Sequence, residues 1–305
     1  MLNVEIVMST FNGAKFLREQ LESLLAQDYR YWTLRVRDDG STDDTTQILA
    51  EYAARHPERI TWTAGKNLGV VASFFALLGA GDADFTALAD QDDVWMPSKL
   101  SRAVHALTRF AVDEPALYCS RQRLVDAQLR PLGDSQAFRR SGFVHSLFEN
   151  KVTGCTTMLN RAGRELVVQS MPPQLGAIYM HDWWLYQVLS AFGHVVFDRE
   201  PTILYRQHGG NVLGYTNSRL NKTRRKLDRF LFNPELFYRI HGQAALFERC
   251  FASRLKKSQR RQLERFLRSR RTRWNRYTYA LFGPVHRESV GEAFAVRLLI
   301  ALNRY

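Results

Sequence analysis

Four short apolar runs alternate with three stretches of helical period between Val4 and Leu88, and no other feature limits the fold of this chain so strongly. The runs are Val4–Met8, Trp32–Val36, Ile60–Thr63 and Phe85–Leu88. Between them, Lys15–Ala26 places Phe16, Leu17, Leu21, Leu24 and Leu25 on one helical face, and helices are expected again at about Asp43–Arg55 and Val70–Leu78. Ser41 or Thr42 can cap the second helix, with Asp43 and Asp44 in its favourable first turn. This βαβαβαβ rhythm implies an α/β fold with a parallel, doubly wound sheet. Such sheets bind ligands beyond the carboxyl ends of their strands. The polar clusters Ser9–Asn12, Asp38–Ser41 and Asp90–Asp93 all fall at such ends.

After Pro97 the pattern is mixed. A helix is expected over Ser98–Phe110, and strands over Ala116–Cys119 and Arg121–Val125 with a polar loop from Asp126 to Gly142. A strand over Thr153–Leu159 and helices over Arg161–Gln169 and Asp182–Phe192 come next, then short strands at Val195–Phe197 and Thr202–Tyr205. From about Asn217 onward only helices are expected: Leu220–Phe232, Pro234–Leu255, Ser258–Tyr279 and Glu288–Leu302. Two regions result, residues 1–215 and a helical region, 216–305.

Charge divides the chain in the same way. The net charge is +13, and from Arg219 to Arg276 the only acids are Asp228, Glu235, Glu248 and Glu264. Hydrophobic residues make up 45% of the 305, enough for a sizeable core and against wholesale disorder. No run reaches the roughly 18 apolar residues that span a bilayer. The N-terminus lacks a basic leader and carries Glu5 inside its apolar run, so it reads as a buried strand and a cytoplasmic location is expected. Cys119, Cys155 and Cys250 lack zinc-type spacing and are too few for a disulfide scaffold.

Asp90, Asp92 and Asp93 crowd one turn. Two carboxylates one residue apart can aim at one hard cation, Mg2+ or Mn2+, whose remaining positions take water and substrate phosphates. An acidic, solvated turn capping the helix after Pro97 is the alternative.

Six motifs in order carry a resemblance over residues 2–210: STFNGAKFL, VRDDGSTDDT, KNLGV, ADQDDVW, HDWW and YRQH. They resemble the family-2 inverting glycosyltransferases of the GT-A fold, and most closely the bacterial rhamnosyltransferase-like members. The resemblance implies a Rossmann-like nucleotide-diphospho-sugar transferase domain with a helical C-terminal region. It implies transfer of a sugar from a nucleotide-diphosphate sugar donor to a saccharide or lipid-linked saccharide acceptor in bacterial surface polysaccharide synthesis. The donor would be dTDP-rhamnose, with a UDP-hexose as the runner-up.

By the same resemblance, Ser9, Thr10, Asn12 and Asp39 hold the nucleobase, and Lys66, Asn67 and Gly69 lie near ribose and phosphate. Asp90 touches the donor ribose or sugar, Asp92 binds Mg2+ or Mn2+, and His208 is a further metal ligand. Asp93 caps or braces the turn. Asp182 is the general base, at a helix start where Asp is also a good N-cap. Where many relatives have Glu-Asp, this chain has His181-Asp182. Gly154 and Cys155 fall on the acceptor-site floor, and Trp183 and Trp184 line that site, with one of the two tryptophans in the core.

The basic tail interleaves Arg224, Arg225, Lys226, Lys256, Lys257, Arg260, Arg261, Arg268, Arg270, Arg271 and Arg273 with aromatic and aliphatic residues. Basic, aromatic-bearing amphipathic helices suit the surface of an anionic membrane. Peripheral contact with the cytoplasmic face of the inner membrane is therefore expected, with a solvated helical appendage as the alternative. No nucleic-acid-binding motif accompanies the charge, so no nucleic-acid partner is expected. A catalytically inactive nucleotide-sugar-binding protein would lack a reason to keep both Asp92 and Asp182. A nucleotidyltransferase would carry a Gly-rich, Lys/Arg-bearing signature after the first strand, which STFNGAKFL does not.

Overall fold

The computed structural model describes residues 2–138, 141–209, 234–288 and 290–305. The expected helix Leu220–Phe232, the charges Arg224, Arg225 and Lys226, and the 215/216 boundary lie outside the described residues. Two compact units divide the chain. The first comprises Met1–Ala137, Val152–Met171 and Gly193–Gly214; the second comprises Phe138–Lys151, Pro172–Phe192 and Tyr215–Tyr305.

The first unit opens with the expected alternation: β1 (Val4–Thr10), α1 (Ala14–Leu25), β2 (Trp32–Asp38), α2 (Thr45–Arg55), β3 (Ile60–Ala64), α3 (Val70–Ala80) and β4 (Phe85–Ala89). β5 (Val94–Trp95), α4 (Lys99–Leu107), β6 (Ala116–Val125), β7 (Pro131–Asp134), β8 (Met158–Asn160) and β9 (His194–Arg206) complete it, with a helix at Arg161–Gln169. The strand order among the described residues is β3-β2-β1-β4-β8-β6-β9-β5, with β7 on β6.

β1 is buried along nearly its whole length because both its faces are covered. Val4, Ile6 and Met8 share a core with Leu17, Leu21 and Leu24 of α1 and with Leu34 and Val36 of β2. Full burial of each such side chain contributes about 1.5–3 kcal/mol. The acid within this run is neutralised across the sheet: Glu5 Oε1 accepts from Arg35 Nε at 2.8 Å.

The sheet is mixed, not wholly parallel. β1 to β4 pair in parallel, but β8 runs antiparallel to both β4 and β6, and β5 antiparallel to β9. The expected strand over Thr153–Leu159 is a 3-10 turn, Gly154–Thr156, followed by β8. The Thr153 carbonyl collects the hydroxyls of Thr156 (2.8 Å) and Thr157 (3.1 Å) and holds the turn. β6 and β9 are each one long strand where two short ones were expected; irregular register between Ser120 and Arg123 absorbs the break. Neither Ser41 nor Thr42 caps α2, whose N-terminal flank is Asp44.

The second unit gathers separated stretches around the helix His181–Phe192, which is buried along most of its length. A helix apolar on all sides must be enclosed on all sides. Trp184 packs edge-on to Phe247 (5.7 Å) and tilted to Phe251 (6.1 Å), and Gln187 accepts from Gln243 Nε2 at 3.0 Å. Four helices follow among the described residues: Pro234–Phe251, Lys257–Arg268, Arg273–Phe282 and Val290–Ala301. The single helix expected over Ser258–Tyr279 is broken in two. The Thr272 side chain accepts from Asn275 N at 3.1 Å and starts the second.

Candidate active site

The βα turns of the first unit are tied to one another at the point where the strand order reverses. β1 lies between β2 and β4, so the chain leaves it in one direction and returns on its other side. A crevice at this switch point is where open α/β sheets bind ligands. Ser9 is half-buried and Thr10 buried at the end of β1. Thr10 Oγ1 donates to Asp38 Oδ1 (2.9 Å), while Asp38 Oδ2 accepts from the amides of Gly40 (3.2 Å) and Ser41 (2.9 Å). Gly40 takes φ +87°, a left-handed value that glycine adopts without strain. Asn12 Oδ1 accepts from Thr42 N at 2.8 Å, and the Asn12 amide donates to Ser41 Oγ at 2.9 Å. Asp38 and Asn12 therefore shape the turns.

Asp39 is buried and surrounded by donors. Its Oδ1 accepts from Leu68 N (2.8 Å), Ser73 Oγ (2.9 Å) and the Arg37 guanidinium; Oδ2 accepts from Gly69 N (2.8 Å). These bonds join the end of β2 to the KNLG loop. Arg37 also donates to the Lys66 carbonyl at 2.8 Å, and Asn67 Oδ1 accepts from Gly69 N at 3.1 Å. Lys66 and Asn67 remain exposed. Burial pushes the Asp39 carboxyl up, but the amides of Leu68 and Gly69, Arg37 and Ser73 outweigh it and hold it below the usual carboxylate range.

A testable consequence is the pH dependence of stability. The folded state holds the Asp39 proton more weakly than the unfolded state, whose value is about 3.9. The stabilisation is fully present above that value and is lost as pH falls through the lower folded one. Asp39→Asn should cost about 2 kcal/mol near neutrality, the scale of hydrogen bonds to a charged group. Denaturant titrations should show the gap between variant and wild type closing in acid; a pH-independent gap would contradict this account.

The acidic turn is braced from two sides. Gln91 makes a peptide-like pair with Phe11: Oε1 accepts from Phe11 N (2.9 Å) and Nε2 donates to Phe11 O (3.0 Å). It lies so close to Gly13 that a Cβ there would come within 2.2 Å of Gln91 Oε1. From the other side comes the end of β9, YRQH. Arg206 is 1% exposed. Its amide donates to Asp93 Oδ1 (3.0 Å), and its guanidinium donates to Asp92 O (2.9 Å), Ala127 O (2.7 Å) and Glu19 Oε2 (2.5 Å). This strut delivers His208, whose Nε2 lies 2.7 Å from Asp92 Oδ2, while its ring packs on Phe16 at 4.9 Å.

Asp93 is fully buried beneath the turn. Burial, then the charges of Asp92 and Asp90, push its carboxyl well up. Among the described residues its Oδ2 has no hydrogen-bond partner. Oxygens of Asp90 and Asp93 and the Cys155 sulfur lie within 4.8 Å of one another. Burial likewise pushes the Cys155 thiol well up. Lys99 is buried with its ammonium 4.5 Å from the Trp95 ring centre; burial lowers its pKa to about 8. Asp90 and Asp92, both half-buried, offer carboxylate oxygens and His208 an imidazole, ligand types that suit Mg2+ or Mn2+. Three carboxylates crowded into one turn are the feature that a divalent cation would relieve.

In the second unit, Asp182 lies in the first turn of its helix, 4% exposed. Its Oδ1 accepts from Asn150 Nδ2 (3.0 Å) and Trp183 N (2.6 Å). Burial lowers the His181 pKa to about 4, so this imidazole is neutral. Trp183 donates its indole N–H to Ser146 O at 2.6 Å. Trp184 has no exposed surface, so of the two tryptophans it is the one expected in the core and it does not line the acceptor site. In the first unit, Gly154 and Cys155 are also buried. Gln91, Arg206, Lys99 and Asn150 were not anticipated. The signals for the first two were present: a glutamine inside an acidic triplet, and an arginine at the end of an apolar strand.

The fold is that of the GT-A glycosyltransferases, and residues 5–145 match the family described as Glycosyl transferase family 2. Among named relatives, the chain is 29% identical over 223 residues to the dTDP-rhamnosyl transferase RfbG of Shigella flexneri, covering 68% of this chain and 73% of that protein. Some other relatives are spanned over 62% of their length. In structure it is similar to S. aureus TarS 1-349 in complex with UDP-GlcNAc, with a TM-score of 0.56 and 15% identity over 99% of this chain and 79% of that one. It is also similar to the mannosyltransferase PcManGT of Pyrobaculum calidifontis in complex with GDP-Man and Mn2+, with a TM-score of 0.52 and 16% identity over 99% and 86%. At such identities the structures speak for the fold alone.

Proposed function

We propose that this glycosyltransferase is metal-dependent and inverting, and that it moves rhamnose from dTDP-rhamnose onto a hydroxyl of a saccharide or lipid-linked saccharide in bacterial surface polysaccharide synthesis. The observation that carries the reading is the Asp92–His208 pair, 2.7 Å apart, in the acidic turn that follows β4. The description of RfbG as a dTDP-rhamnosyl transferase supports the donor. A UDP-hexose is the second reading, favoured by the UDP-GlcNAc in the TarS complex.

In this reading, Asp39 and the KNLG loop receive the nucleoside, with Ser9, Thr10 and Asn12 shaping the base-binding edge. Among the described residues Asp39 Oδ2 accepts one bond, from Gly69 N, and can accept a further N–H from a pyrimidine imide. Asp90 orients the ribose or sugar. Asp92 and His208 hold Mg2+ or Mn2+, with Arg206 fixing the spacing between them. The bound ion supplies Lewis-acid neutralisation of charge developing on the leaving diphosphate. Asp182 accepts the proton of the attacking hydroxyl as that oxygen bonds to the anomeric carbon and the bond to the diphosphate breaks, so one displacement inverts the centre. Trp183, Gly154 and Cys155 shape the acceptor side. The basic C-terminal region holds the enzyme at the anionic cytoplasmic face of the inner membrane.

A panel of nucleotide sugars, incubated with a lipid-linked saccharide mimic, tests this. Nucleotide diphosphate should be released from dTDP-rhamnose with Mn2+ or Mg2+ and not with EDTA. Turnover that is indifferent to EDTA would remove the metal from the reading, and preference for a UDP-hexose would replace the donor.

A further inference from the structure

The second unit ends in a helical hairpin whose outer face is apolar. The helix Arg273–Phe282 and the helix Val290–Ala301 are clamped by Arg297, which donates to the carbonyls of Ala280 (2.7 Å), Leu281 (3.2 Å) and Gly283 (2.9 Å). The inner faces supply the buried Tyr279, Ala280, Val296, Leu299 and Ile300. The outer faces do not resemble a solvated surface. Trp274 is 76% exposed, Phe282 77% and Phe294 69%, with Leu281, Val290 and Leu298 also exposed. Val290, Phe294 and Leu298 recur every four residues and form one stripe. Scattered exposed apolar residues are ordinary, but two adjacent stripes of large ones mark a docking face.

The charge around this face selects its occupant. Between Arg254 and Arg276 there are eleven basic residues and one acid. That acid, Glu264, is engaged by Arg260 at 2.9 Å and Arg268 at 3.6 Å. Arg271 and Arg273, at the start of the hairpin, are exposed. The nearby acids Glu288 and Glu292 pair with Lys151 and Arg287. A second copy docking on the same face would bring this positive rim against itself. An anionic bilayer offers the opposite charge and an apolar layer beneath it. Trp, Phe and Leu on one side with Arg beside them is the composition of helices that lie in the membrane interface. Among the described residues no helix is long and apolar enough to cross a membrane.

We infer that the hairpin 273–301 is a monotopic membrane-docking device, inserting Trp274, Phe282 and Phe294 below the headgroups of anionic lipid while Arg271 and Arg273 meet lipid phosphates. This deepens, and rests on, the membrane contact proposed above; it places that contact on an apolar ridge and not on charge alone.

The test is co-sedimentation of the full chain with vesicles of phosphatidylglycerol and phosphatidylcholine, against phosphatidylcholine alone. The wild type should bind the anionic vesicles, and a residual part of that binding should survive high salt. The variant Trp274→Ser/Phe282→Ser/Phe294→Ser changes only exposed side chains and should lower the partition coefficient at least about tenfold. Arg271→Gln/Arg273→Gln should remove part of the salt-sensitive component. Binding by the triple variant equal to wild type, no binding by the wild type, or a wild-type dimer that the triple variant dissociates would each overturn the inference. Metal-dependent donor hydrolysis without vesicles, measured on the same samples, separates the two readings. Retained hydrolysis with failed docking rejects only the hairpin, and docking without hydrolysis rejects only the transferase reading.

Discussion

Asp182→Asn should bind donor as wild type does and lose turnover by a factor of about 100 to 10,000, the range that general-base catalysis supplies. The substitution is nearly isosteric, and the remaining carbonyl oxygen can still accept from Asn150 Nδ2 and Trp183 N. The helix His181–Phe192 therefore keeps its start, and thermal denaturation should shift by only a few degrees. What disappears is an oxygen able to take a proton. Donor affinity by calorimetry and single-turnover transfer to acceptor separate the two roles. A variant that folds, binds donor and transfers at near wild-type rate would leave Asp182 as a turn brace and place the base elsewhere. His181 does not offer a ready substitute, because its burial favours the neutral imidazole and opposes the charge it would acquire.

The first half of the fold was legible because its signals are local. Strand length, helical period and the polar strand ends between Val4 and Asp93 can all be read in short windows, and β1 to β4 follow them. Strand direction cannot be read that way. β8 turns antiparallel because it is reached through a 3-10 turn locked by threonine hydroxyls, and β9 joins β6 across residues far apart in sequence. The same distinction holds in the site. Asp39, Asp90 and Asp92 stand in a recognisable motif, and their types suggest their chemistry. Gln91 acts through Phe11, Arg206 through Asp92 and Asp93, and Asn150 through Asp182; each contact exists only after distant segments meet. Which tryptophan is the core one was not legible for a related reason: tryptophans side by side on a helix look alike in sequence, and packing against Phe247 and Phe251 is what leaves Trp184 no exposed surface.

Asp92→Ala should abolish the Mn2+-dependent part of donor affinity. The turn itself should survive, because its braces do not run through this side chain: Arg206 Nε uses the Asp92 carbonyl, its amide uses Asp93, and Gln91 holds Phe11. The loss should exceed the roughly 10- to 100-fold that removal of an outer-shell partner costs, since the deleted group is proposed to touch the ion. Arg206→Met supplies the comparison. It keeps both Asp92 and His208 but removes the strut, so it should fall within that 10- to 100-fold range and also lower stability, leaving Glu19 and the Asp92 carbonyl without the guanidinium. Calorimetry with donor, in Mn2+ and in EDTA, distinguishes the outcomes. If Asp92→Ala keeps manganese-dependent binding, the cation is not held by the Asp92–His208 pair, and the cluster of Asp90, Asp93 and Cys155 becomes the place to test, beginning with Asp90→Asn.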